Sequence, residues 1–117
     1  MINLLREPGD MEYLTVSCEP LDNVAKRVPG PGSAIDWLQV DVEGFEFWVL
    51  WNMVGKLRPK FVNYEQVVMR AVNPTVEYDL QRQLALAGYY TFGDNARNMR
   101  AVRMDVLENA TRSACKL

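Results

Sequence analysis

Residues 36–50 read DWLQVDVEGFEFWVL, and residues 60–68 read KFVNYEQVV. Between residues 35 and 42 the side chains alternate, with Leu38, Val40 and Val42 on one face and Trp37, Gln39 and Asp41 on the other, which is the period of a strand. Residues 45–57 carry long apolar side chains with no breaker before Gly55 and predict a helix. Arg58-Pro59 ends it, because the residue before a proline is pushed out of the helical region. Residues 60–68 then form a second apolar strand carrying Glu65 at its middle or end. Strand, helix, strand is a βαβ unit, whose crossover makes the two strands parallel in a sheet covered by helices. The fold class is α/β.

On the N-terminal side, residues 1–12 read as a polar, turn-like extension punctuated by Pro8-Gly9-Asp10. Residues 13–18 alternate as a short strand, residues 21–28 suit two helical turns, and two prolines and two glycines make residues 28–33 a loop. On the C-terminal side, Val76, Leu80, Leu84 and Ala87 recur at near-helical spacing over residues 75–87, with Gly88 as the cap of a further crossover helix. Residues 89–92 and 99–104 read as strands of an antiparallel hairpin around the turn-rich residues 93–98. The last dozen residues are a short helix or a loose tail.

With 117 residues, 49% of them hydrophobic, the chain is of a size to form one core. Its 13 basic and 15 acidic side chains give a net charge of −2, so no field exists to hold a nucleic acid or an anionic membrane. Histidine is absent, which removes Ser-His-Asp and Cys-His nucleophiles and leaves proton chemistry to carboxylates, Tyr, Lys or Cys. Cys18 and Cys115 show neither CxxC spacing nor a disulfide framework, which fits a reducing, cytoplasmic setting.

The chemistry concentrates in the acids. Asp41 and Glu43 end the first strand of the βαβ unit, and Glu65 lies on its neighbour. Ligands of parallel sheets bind outside the C-terminal strand ends, and adjacent strands are only about 4.8 Å apart, so these carboxylates can converge. They could act as a general base toward a substrate hydroxyl, as hard oxygen ligands for a divalent cation, or as acceptors that orient a bound molecule. A purely structural role is the alternative: Asp41 capping the following helix and Glu43 acting on its dipole. Gly44 lets the helix start pack against the strand. Asp36 ends the preceding loop and Asp22 caps a helix. Asn63 and Tyr64 could border an acceptor site, although an aromatic on a strand is more often core. Arg97, Arg100 and Arg103 form a solvated face.

The segment DWLQVDVEGFE, the helix ending at Pro59 and the apolar strand carrying Glu65 resemble the FkbM family of S-adenosylmethionine-dependent methyltransferases. Leu21-Asp22, Gly88-Tyr89 and residues 98–103 are similar to further landmarks of that family. The resemblance implies the C-terminal half of a Rossmann-like class I methyltransferase: parallel strands, crossover helices and a final antiparallel hairpin. Such enzymes hold the cofactor through a glycine-rich turn after the first strand and an acid ending the second. Here the only glycine-rich piece, residues 29–33, precedes a strand, and its prolines lack the N–H groups needed. The expected organisation is an extension over residues 1–12, a partial methyltransferase domain over residues 13–104 and a tail over residues 105–117. The complete form would methylate a hydroxyl of a small-molecule or glycan acceptor through Asp41, Glu43 and Glu65. S-adenosylmethionine is not expected to bind this chain alone.

Phe47, Trp48 and Trp51 make the crossover helix apolar nearly all round, more than one sheet can cover. Either the chain's own early segment supplies a second layer, or these aromatics meet a partner protein or an apolar acceptor. The competing functional reading is therefore a non-catalytic α/β interaction module that lacks the cofactor half. An acid-cluster hydrolase is a weaker third, since nothing supplies its nucleophile.

Overall fold

Two strands laid side by side in the same direction set the architecture. In the computed structural model, which describes residues 2–3, 13–28, 35–53, 56–94 and 97–116, these are β3 (Trp37–Val40) and β4 (Phe61–Glu65), with Trp37 opposite Phe61 and Val40 opposite Tyr64. Before them come β1 (Ile2–Asn3), β2 (Tyr13–Leu14) and α1 (Leu21–Arg27). Between them lies α2 (Glu46–Met53), and after β4 come α3 (Val67–Val72), α4 (Pro74–Leu86), β5 (Tyr89–Asp94), β6 (Asn98–Arg103) and α5 (Met104–Ala114). The main sheet has the order β3-β4-β6-β5. Because β6 is antiparallel to both β4 and β5, the strands β3, β4 and β5 all point the same way, and α3 and α4 form the second crossover. The predicted βαβ unit and hairpin are thus present in a mixed sheet.

The core lies on one face of that sheet. Val40, Val62, Tyr64, Met99 and Ala101 point toward Leu50 and Met53 of α2 and Leu80 and Leu84 of α4, all of them buried. Helix α4 starts where the Asn73 side chain accepts the Thr75 N–H at 3.1 Å, with Pro74 in the first turn, where its missing N–H costs nothing. It stops at Gly88, whose φ of 86° is open to glycine and rare for other residues. The opposite face carries Trp37, Phe61, Tyr90 and Phe92, which stay 37–56% exposed.

The structure departs from the sequence reading in several places. The strand expected over residues 13–18 shrinks to Tyr13–Leu14, and it pairs with β1, a strand inside the segment read as turn-like. Residues 29–34, most of the expected Pro-Gly loop, lie outside the described residues. Val67 and Val68, read as strand, open helix α3, because the apolar run turns at Gln66, whose backbone is already helical (φ −105°, ψ −22°). Of the two readings of the C-terminal end the helix is the one found: α5 covers residues 104–114 and starts directly after β6. Packing of α1 beside α2, with Leu21 and Ala25 against the core, supplies part of the second layer. Trp48 and Trp51 nonetheless remain 49% and 43% exposed. Cys18 and Cys115 are free and exposed. Among the described residues no helix is long and apolar enough to cross a membrane.

Candidate functional site

The site is built where β3 and β4 end. After Val40 the chain turns sharply, with Glu43 at φ 51° and Gly44 at φ 102°, before α2 begins at Glu46. Gly44 is required twice over: its φ is disfavoured for any side chain, and a Cβ there would stand 3.2 Å from Cγ1 of Val68 on α3. So Gly44 serves the close approach of α3, not the expected packing of α2 on its strand. Glu43 is likewise not in the helix, as the dipole role required, but in the turn.

Glu46, which the sequence reading passed over, holds the turn that leads into α2. Its fully buried carboxylate accepts the N–H of Val42 at 2.9 Å and that of Gly44 at 3.0 and 3.3 Å. The signal in the sequence is a glutamate in the first helical turn that can reach back to the N–H groups before it, the logic of a capping box. Asp41 and Glu43 are exposed.

Glu65 is the last residue of β4, and the next N–H, of Gln66, donates to the Arg97 carbonyl at 2.9 Å, which brings the start of β6 alongside. One carboxylate oxygen from each of Asp41, Glu43 and Glu65 lies within 4.8 Å of the other two. Such a trio offers hard oxygen ligands at a spacing that suits a divalent cation. Desolvation, together with the charges of Asp41, Glu43 and Glu46, raises the Glu65 carboxyl above its usual value, and Arg97 opposes the rise. Arg97, exposed as the sequence reading had it, thus lies close enough to be felt by this site. Arg103 is likewise engaged, donating to Asp105 at 2.6 and 2.8 Å and to the Arg58 carbonyl at 2.8 Å.

Because folding raises the Glu65 carboxyl, the folded chain keeps that proton to a higher pH than the unfolded chain does. The associated stability is fully present below the unfolded value and is lost as pH rises through the folded one. Glu65→Gln is thus expected to raise the thermal midpoint near neutral pH and to leave it unchanged at about pH 3, below the ordinary carboxylate range. Melting curves at the two pH values check this.

Along the open sheet face, two pairs lead to these acids. The Trp37 and Phe61 rings lie 5.9 Å apart, the Asn63 amide donates to Gln39 Oε1 at 2.7 Å, and Asp41 and Glu65 follow. Tyr64 is fully buried on the other face, and burial holds its phenol far above the usual range. Asp36 pairs with Lys60 at 2.6 Å, and Asp22 pairs with Lys26 and Lys56, so neither joins the site.

Residues 5–95 match a family model described as the methyltransferase FkbM domain. The chain belongs to the FkbM methyltransferase family. No significant match came from the curated proteins or from the solved structures. In this FkbM domain the ends of β3 and β4 lead directly into the turn and the helix that follow them. The turn after β3 is filled by the Glu46 carboxylate and closed by Val68, and β4 passes through Gln66 directly into α3.

Proposed function

We propose that this chain is the acceptor-handling half of an O-methyltransferase that uses S-adenosylmethionine, with the cofactor held by strands other than those described. The observation that carries the reading is the meeting of Asp41, Glu43 and Glu65 at the ends of two adjacent parallel strands. Such a group can accept the proton of an acceptor hydroxyl, and with no histidine in the chain a carboxylate is the natural base. Bound elsewhere, the cofactor would supply an electrophilic methyl group; these residues orient the hydroxyl oxygen and remove its proton. Two features support the division of labour. Strand β3 is an edge of the sheet among the described residues, and its neighbouring face is open, as in the C-terminal half of a larger Rossmann-like sheet. The acceptor is a small molecule or a glycan, and residues 13–104 form the partial domain.

Transfer of a labelled methyl group from S-adenosylmethionine to hydroxyl acceptors, by this chain joined to the cofactor-binding half of an FkbM enzyme, tests the reading. Sustained absence of transfer from a well-folded fusion that binds the cofactor would overturn it. It would favour the second reading, a non-catalytic interaction module. The observation behind that alternative is the aromatic group Phe45, Phe47, Trp48 and Trp51 at α2, whose neighbouring rings lie 4.9–5.6 Å apart and of which Phe45, Trp48 and Trp51 stay exposed.

A further inference from the structure

Glu46 is a fully buried carboxylate that takes no part in the proposed proton transfer. Its two oxygens hold the N–H groups of Val42 and Gly44, one on each side of Glu43. Between those two anchor points Glu43 lies at φ 51°, where a residue with a side chain seldom sits unless its surroundings over-determine it. On the far side, Val68 closes the turn against Gly44. The turn therefore cannot relax toward α3, and the Glu43 side chain is directed to Asp41 and Glu65.

We infer that Glu46 is the positioning residue of the carboxylate site: by gripping the backbone on both sides of Glu43 it holds that residue left-handed and sets the Asp41 and Glu43 carboxylates opposite Glu65. Its relevance to catalysis rests on the methyltransferase reading, whereas the grip itself is a property of the turn. A glutamate that merely capped α2 would lower stability on removal without altering the backbone at residue 43. The two roles separate in a measurement that involves no methyl transfer.

The 117-residue chain, labelled with 13C and 15N, is compared with Glu46→Gln and Glu46→Ala by NMR. The one-bond Cα–Hα coupling and the intraresidue N–H to Hα cross-peak of Glu43 report the sign of its φ. The left-handed signature is expected in the parent chain and lost in Glu46→Ala. In Glu46→Gln, which keeps one acceptor oxygen but turns an amide N–H₂ toward a backbone donor, it is expected to be weakened. Glu43→Gly completes a stability cycle. Glycine accepts the left-handed turn without strain, so it should raise the thermal midpoint by about 4 °C or more relative to its effect where the grip is lost. Should Glu46→Ala not fold, Glu46→Gln carries both readouts. An unchanged Glu43 signature in the variants, with Glu43→Gly shifting the midpoint equally in both backgrounds, overturns the inference. Failure of the labelled-methyl assay with these NMR results intact would overturn the methyltransferase reading alone.

Discussion

Asp41→Asn is expected to reduce methyl transfer by about a hundredfold or more in the enzyme joined to its cofactor-binding half, the usual worth of general base catalysis. Three features single out Asp41. It follows β3 directly, it shares its face with Trp37 and Gln39, and it is exposed where an acceptor can arrive. Because Glu46 holds the turn, the substitution leaves the backbone hydrogen bonds in place, and the thermal midpoint should move little. Glu43→Gln is expected to cost less, since its carboxylate stands beside the base and modulates it. Rates and melting curves measured together on both variants separate chemistry from folding. Full turnover by Asp41→Asn would move the base to Glu65 or outside this chain.

Leu80→Ala is expected to destabilise the fold by about 2–5 kcal/mol, the range for removing a fully buried leucine. Leu80 has no exposed surface, sits on α4 and belongs to the cluster that seals the covered face of the sheet. A small domain with one sheet face open has little reserve. At about 4–8 °C per kcal/mol, the thermal midpoint should fall by about 10 °C or more, followed by circular dichroism. A fall of only a degree or two would mean that α4 does not pack over the sheet.

Those two expectations draw on different parts of what the sequence disclosed. The βαβ unit was legible because residues 35–42 alternate and Pro59 punctuates, and α4 because Leu80 and Leu84 recur at helical spacing. The convergence of Asp41, Glu43 and Glu65 followed from the direction of parallel strands. Alternation and spacing could not disclose the turn between them. Glu43 carries no signal for a left-handed conformation, and Glu46 looked like one more acid until its buried position put two backbone N–H groups within reach. Helix α3 was hidden for a related reason, since Val67 and Val68 continue the apolar run of β4 and only the backbone at Gln66 shows the change. Arg97 was set aside with the neighbouring arginines. Its place near Glu65 depends on β6 pairing with β4, a long-range contact that no local pattern encodes.

The proposed division into an acceptor half and a cofactor half is tested most directly by isothermal titration calorimetry with S-adenosylmethionine. The 117-residue chain alone should give no saturable heat at micromolar concentrations, and the same chain joined to the cofactor-binding half should give a saturable isotherm. Saturable micromolar binding by the chain alone would contradict it, because the cofactor site would then lie among residues assigned here to the acceptor.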